Sequence, residues 1–322
     1  MLIDGLQCGE FRREIFESLR VGGFTCVTNT LEFWGGAINS LDAIADWLDK
    51  ERANSDIMMI CRNVADIQTA DKTGKVGVLL GFQNSGMFEG RIRYPELFAQ
   101  LGVRVAMLTY NIQNDIGGSC YEPHDSGLTR FGREIIGEMN KYGMMVDCSH
   151  VGEKTTLDAI EASSKPIAVT HANAGSLMPH FRNKSDTVLK VLAESGGIMG
   201  LAIYPNITPK DACDSIDGWA EMMARTVDIM GLEHVGVGTD VGHYVGTSEL
   251  DWMRQGRWTR SEQYGAGTKD KALMPAPPKW LPDISKMGLL PAALERPGFS
   301  HDDEFPPAQI PCALLRQATA PF

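Results

Sequence analysis

The stretch VGVLLGFQNSG, residues 76–86, decides the architecture of this chain. Its first seven residues form an unbroken apolar run of strand length, without the alternation that one wet face would impose. Such a run suits a strand covered on both faces, and it stops abruptly at Gln83, Asn84 and Ser85. Similar runs recur along the chain: LID at 2–4, FTCVTN at 24–29, VRVAMLTY at 103–110, MMVDCSH at 144–150, PIAVTH at 166–171, GGIMGLAIY at 196–204 and HVGVGTD at 234–240.

The segments between these runs carry helical spacing. SLDAIADWLDKERA offers Ser40 as an N-cap, SDTVLKVLAESG offers Ser185, and FGREIIGEMNKYG ends on a glycine suited to a C-cap. Strands buried on both faces and alternating with helices predict a (β/α)8 TIM barrel of α/β class, about 240 residues being enough for it. An open doubly wound sheet is the rival, but the first strand is not followed by the GxGxxG turn that would favour it. The expected organisation is a single barrel domain over 1–322. Residues 246–285 form a long loop or excursion after strand eight, which reads as a surface loop or as a lid. The proline-rich stretch 296–322 is an atypical tail without the amphipathic helix that should close the barrel.

Composition narrows the function. A chain of 322 residues with 43% hydrophobic content can bury a large core, and a net charge of −11 with no Lys/Arg cluster argues against nucleic acid as a partner. Seven cysteines without a CxxC pair point to a reducing cytoplasm. No apolar run approaches the ~18 residues of a membrane span, and Met1 is followed by LIDG rather than by a basic and then apolar leader. The expected partner is a small-molecule substrate, with no membrane and no nucleic acid.

In a barrel the chemistry sits where the strands end. Those ends present His150, His171 and Asp240, two imidazoles and a carboxylate of the kind that binds Zn2+ or a related divalent ion with a position left for water. Each has a plainer alternative. A lone histidine is usually a hydrogen-bonded structural residue, Asp240 suits the N-cap of a following helix, and Tyr110 and Tyr204 suit rim packing as well as substrate contact. His243 is a reserve ligand, while His234 and Cys148 read as structural.

With those residues in place the chain resembles the renal (membrane) dipeptidase family of metallopeptidases, among the amidohydrolase-like barrels. GLTRFGREIIGEMNKYGMMVDCSHVG at 127–152, KPIAVTHANAG at 165–175, HFRNKSDTVLK at 180–190 and LEHVGVGTD at 232–240 carry the resemblance. It implies a binuclear zinc centre that hydrolyses dipeptides, and it suggests a homodimer. His150 and His171 match the histidines of one metal site, and Asp240 matches the aspartate that binds the other metal and handles the proton. Arg182 matches a clamp for the substrate carboxylate, a task suited to the guanidinium fork, and Asn183 beside it joins the substrate-binding candidates.

Four positions, at three strand ends, depart from that pattern. Leu6 and Cys8 stand where family members carry a His-x-Asp pair, Gln83 stands in place of a bridging carboxylate, and Tyr110 replaces a histidine that polarises the scissile carbonyl. A neutral amide is a weak bridge between two dications. The expected site is therefore mononuclear, one zinc held by His150, His171 and Asp240 or Gln83. Asp240 would move the proton and Tyr110 would donate to the oxyanion. The expected activity is metal-dependent hydrolysis of a dipeptide or a small carboxylated amide. A lyase or decarboxylase acting on a small carboxylate, or a silent binding barrel, are the alternatives.

Overall fold

The computed structural model describes residues 1–255 and 275–295. Ten strands, β1 Leu2–Gly9, β2 Phe24–Thr30, β3 Met58–Ile60, β4 Val76–Phe82, β5 Val103–Met107, β6 Met145–Asp147, β7 Ala168–Ala172, β8 Ile198–Leu201, β9 Val235–Val237 and β10 Val241–His243, form one sheet. Its pairings are all parallel, and the order β1-β2-β4-β5-β6-β7-β8-β9 closes where Asp4 of β1 meets Val237 of β9. This is the eight-stranded TIM barrel that the apolar runs predict. The strand at 76–82 is buried along its whole length, as its unbroken run requires. Two short additions lie outside the eight-strand circuit: β3 pairs with β4, and β10 extends β1.

Around the barrel run α1 Arg13–Val21, α2 Ala37–Ala53, α3 Val64–Thr73, α4 Tyr94–Gln100, α5 Arg130–Lys141, α6 Glu153–Ala162, α7 Asp186–Glu194, α8 Lys210–Asp214 and α9 Ile216–Met230. Ser185 caps α7 as expected, its hydroxyl accepting from Val188 N. Ser40 does not cap α2. The helix begins three residues earlier, and the Ser40 hydroxyl donates back to Gly36 O from inside its first turn. Gly143 follows α5 with a φ of 66°, a left-handed conformation that suits glycine.

The segment after strand eight opens with a helix. α10 spans Thr247–Gln255, and its Trp252 Nε1 donates to Glu32 Oε1 at 3.1 Å while Trp34 Nε1 donates to Met253 O at 3.3 Å. These bonds seat α10 against the loop after β2. The closing cover comes from Ile284–Leu289, a 3-10 turn packed on α1, and from α11 Leu290–Leu294, packed on α9. The expected tail at 296–322 lies outside the described residues.

Two buried carboxylates lock the strand ends. Asp4 accepts from Leu6 N (3.1 Å), Gln7 Nε2 (2.7 Å), Thr239 N (2.8 Å) and Thr239 Oγ1 (2.6 Å). Asp147 accepts from Ser149 N (3.0 Å), Ser149 Oγ (2.6 Å), Thr170 N (3.0 Å) and Thr170 Oγ1 (2.7 Å). Burial pushes both carboxyls up from their ordinary range, and the hydrogen bonds oppose that shift. Each latch fixes a threonine whose next residue, Asp240 or His171, is a site candidate. The lumen itself is narrow. A Cβ on Gly5, Gly200 or Gly238 would fall 2.4, 2.2 or 1.8 Å from the Thr170 carbonyl oxygen, so three strands approach that atom only because they carry glycine there.

Candidate active site

A cavity of about 60 Å3 opens where the strands end, lined by Cys8, Gln83, Tyr110, Asn111, His150, Arg182, Tyr204 and Asp240, with Leu250, Met253 and Arg254 from α10 over it. Seven of the eight barrel strands therefore deliver residues to one place. His171 lies behind this wall, fully buried, with its Nε2 3.2 Å from the Nε2 of His150.

The second nitrogen of each ring is occupied. His150 Nδ1 lies 2.6 Å from Asn111 Oδ1, an acceptor, so this nitrogen carries the proton. His171 Nδ1 lies 2.8 Å from Thr170 Oγ1, whose own proton goes to Asp147. With Asp147 ionised, His171 also donates from Nδ1, and the two Nε2 lone pairs face one another. Burial and the nearby Arg182 hold both imidazoles well below their ordinary pKa, which disfavours relief by an added proton. A proton kept on Asp147 relieves it differently, by letting the chain run Asp147, Thr170, His171, His150, Asn111 with each group donating to the next.

The facing nitrogens also match an edge of a tetrahedron around one ion, with N ligands at about 2.0–2.1 Å. Among the described residues, however, no three His, Cys, Asp or Glu side chains converge on a common ion. The paired family centre therefore does not fit: Leu6 and Cys8 supply no imidazole or carboxylate, and the Gln83 amide nitrogen donates to Thr30 Oγ1 at 2.8 Å. The expected set of His150, His171 and Asp240 is therefore not gathered around one ion among the described residues, and Gln83, the alternative to Asp240, lines the same cavity.

Asp240 follows Thr239 at a φ of 59°, a left-handed conformation uncommon outside glycine. No helix follows it, so it caps nothing; the next element is β10. Its carboxyl makes no hydrogen bond or ion pair among the described residues, and burial raises it to about 7 despite the opposing pull of Arg182. Asn111, which orients His150, has a φ of 58°. Both left-handed residues thus stand in the same cavity wall.

Arg182 is buried and donates from Nη2 to His171 O at 3.0 Å and from Nη1 to Ser149 O, tying the ends of β6 and β7. It forms no ion pair among the described residues. The Tyr110 ring packs on His150 at a 4.3 Å centroid distance and on Phe33 and Trp34, and burial keeps its hydroxyl protonated. Tyr204 accepts from Asn206 Nδ2 at 3.0 Å and is hydrogen-bonded to Arg254.

Other expected residues stand elsewhere. Asn183 does not line the cavity; its amide bonds Asn173 N, Met178 O and Ile207 O, which makes it a loop clamp. The reserve ligand His243 is likewise corrected to a structural role. It is bonded through Nε2 to Gln7 Oε1 at 2.8 Å, packs edge-on against Phe11, and is lowered by burial to about 4. His234 Nδ1 bonds Gly197 O, a structural role.

A family model described as membrane dipeptidase, peptidase family M19, matches residues 30–255. The chain belongs to the membrane dipeptidase family. Among relatives of this M19 chain, an uncharacterized dipeptidase of Schizosaccharomyces pombe is 32% identical over 198 residues, covering 56% of this chain and 48% of the relative. A dipeptidase of Aspergillus oryzae is 31% identical over 191 residues, 58% and 45% of the two chains. The M19 chain thus spans about half the length of the curated relatives it matches. Its barrel superimposes on an amidohydrolase from Pseudomonas aeruginosa with a TM-score of 0.90 at 35% identity, covering 99% and 96% of the two chains. It shares its fold with a metallopeptidase from Rhodobacter sphaeroides liganded with a phosphinate mimic of L-Ala-D-Ala, at a TM-score of 0.77, 19% identity and 99% coverage of each. A metallopeptidase family implies a metal cofactor.

Several residues of this M19 site escape sequence reasoning. Asn111 is one step past the Tyr110 strand end, and Asp147 and Thr170 each sit beside a recognised residue. An acid inside an apolar run, as in MMVDCSH, is the signal that Asp147 offers. Arg254 lies in the segment read as an excursion, where no periodicity marks it.

Proposed function

We propose that this chain is a hydrolase cleaving a dipeptide or a small carboxylated amide. The observation that carries the proposal is the Asp240 carboxyl, in the cavity wall without a partner among the described residues and raised to about 7, the state a general base and then acid needs near neutral pH. The names of the M19 relatives support the dipeptide as substrate class.

His150 and His171 would hold the metal, one zinc or another divalent ion, their Nδ1 atoms tied down by Asn111 and Thr170. When bound, such an ion lowers the pKa of water and polarises a carbonyl. Arg182 holds the substrate carboxylate, its position set by the two carbonyls it bonds. Asp240 takes the proton of the attacking water and returns it to the leaving amine. The Tyr110 hydroxyl, protonated and without a hydrogen-bond partner among the described residues, donates to the developing oxyanion. Leu250 and Met253 over the mouth limit the access of bulk water. Catalysis in a reducing cytoplasm accords with the six thiols among the described residues.

A panel of dipeptides with D- and L-Ala at the C-terminal side tests the proposal. Release of free amino acid by the wild type and its loss in Asp240→Asn is the expected result, and no turnover across the panel at any added metal overturns the dipeptide reading. The absence, among the described residues, of a third His, Cys, Asp or Glu ligand favours a second reading, a barrel that binds a small carboxylate without hydrolysing it or acts on it as a lyase. Binding of the panel without turnover, or turnover of a carboxylate that releases no amine, selects it.

A further inference from the structure

Tyr110, Tyr121 and Tyr204 all line the cavity. Tyr110 lies on the His150 ring, and Tyr204 is bonded to Asn206 and Arg254. Tyr121 comes from the loop between β5 and α5 and has no part in the chemistry proposed above.

The turn that carries Tyr121 is fixed to the end of β6. Cys120 N donates to His150 O at 2.9 Å, Ser119 Oγ donates to the same carbonyl at 3.1 Å, and Glu122 N closes the turn on Ser119 O at 3.2 Å. The Tyr121 ring meets those of His180 and Phe181, the two residues that precede Arg182, at centroid distances of 6.3 and 6.2 Å. The phenol is thus held between the backbone of a site histidine and the segment that delivers the guanidinium.

The Tyr121 hydroxyl has no hydrogen-bond partner among the described residues. Burial raises it from its ordinary pKa, with Arg182 opposing, so near neutral pH it stays protonated and able to donate. Arg182 is itself buried, and each terminal nitrogen commits one N–H to a carbonyl, Ser149 O or His171 O. A guanidinium has further N–H groups, all of them donors. Donors gathered in a buried wall favour an anion, whose bonds to them are charge-assisted. A carboxylate accepts from several donors at once, whereas a carboxamide turns its own N–H groups toward a guanidinium that cannot accept them.

We propose that Tyr121 is a substrate-binding residue, its hydroxyl donating to the same carboxylate that Arg182 holds, and that the pair selects a free carboxylate over a carboxamide. The inference rests on the reading of Arg182 as the carboxylate clamp of an amide hydrolase.

Calorimetric titration of the purified full chain with N-acetylglycine and N-acetylglycinamide tests it, in the wild type and in Tyr121→Phe, which keeps the ring against His180 and Phe181. The wild type should bind the carboxylate about tenfold or more tightly than the amide. Loss of one charge-assisted hydrogen bond should weaken N-acetylglycine about tenfold in Tyr121→Phe and leave N-acetylglycinamide within about twofold. An equal loss for both ligands assigns the ring to packing and overturns the inference. Unchanged binding of N-acetylglycine by the variant, or a wild type that binds both ligands alike or neither, overturns it too. Turnover is scored separately, and in Tyr121→Phe the larger part of the effect on glycylglycine hydrolysis should fall on KM rather than kcat. A collapsed binding ratio without turnover by either protein overturns the hydrolase reading alone. Glycylglycine hydrolysis with an unchanged KM in Tyr121→Phe overturns this inference alone.

Discussion

His150 Nε2 and His171 Nε2 stand 3.2 Å apart, each ring held from its far side by a neutral oxygen, Asn111 Oδ1 or Thr170 Oγ1. The geometry leaves two lone pairs directed at one point and nothing comparable at the positions of Leu6 and Cys8. Metal analysis of the purified protein is therefore expected to give at most about one equivalent of zinc per chain, weakly held, and His150→Ala or His171→Ala should remove it. Two equivalents retained after dialysis would contradict the geometry.

The Asp240 carboxyl sets the pH dependence of turnover. Only its ionised form accepts a proton, so with its pKa near 7 the kcat/KM should rise about tenfold per pH unit below 7 and level off above it. A profile flat from pH 5 to 8 would assign the base to another group.

The same shift has a stability consequence of known sign. Asp240 binds its proton more tightly in the folded than in the unfolded chain, so between about pH 4 and 7 the folded state holds the extra proton and loses stability as pH rises. Asp240→Asn removes this penalty. At pH 8 it should stabilise the fold by roughly 2 kcal/mol, allowing for partial contact with solvent, while abolishing turnover. Thermal unfolding read beside activity checks both halves, and a lower Tm for the variant would refute the first.

Asn111 should matter through His150. Asn111→Gly accommodates the φ of 58° but deletes the acceptor, so the fold should survive while metal affinity falls about 10- to 100-fold. Asn111→Ala deletes the acceptor and adds left-handed strain of about 1 kcal/mol. If the Gly variant binds metal as the wild type does, ring orientation is set by packing on Tyr110 instead.

Thr239→Val removes one hydroxyl from the latch that closes the barrel, and leaves Asp4 Oδ2 with Gln7 alone. The expected cost is about 1–3 kcal/mol, read by denaturant unfolding. An unchanged midpoint would mean that Gln7 and the backbone donors satisfy Asp4 without it.

Much of the architecture is legible in the residues because parallel strands covered on both faces leave unbroken apolar runs, and each of the eight runs forms a closing strand. β3 escapes because three residues beside a helix carry no period, and the start of α2 is misjudged because Ser40 also serves inside a first turn. His150, Arg182 and Asp240 can be found because they end strands or match motifs. The supports around them are less legible. Asn111 acts through one backbone conformation, Thr170 through a hydroxyl whose donor direction depends on Asp147, and Arg254 through a helix held by two tryptophans 218 positions apart in the chain (252 − 34). Such roles follow from three-dimensional placement, which residue type alone does not encode.

The crowding of Gly5, Gly200 and Gly238 around the Thr170 carbonyl separates the upkeep of the site from its reactive groups. The seat of His171 is set by backbone contacts of β1, β8 and β9, so the side chains at Leu6, Cys8 and Gln83 can differ without moving that address. A methyl at Gly238 would disturb that address more than any of the three exchanges. The barrel is accordingly a receptive scaffold for re-engineering, in which Leu6→His, Cys8→Asp and Gln83→Glu change side chains and leave the glycine contacts untouched.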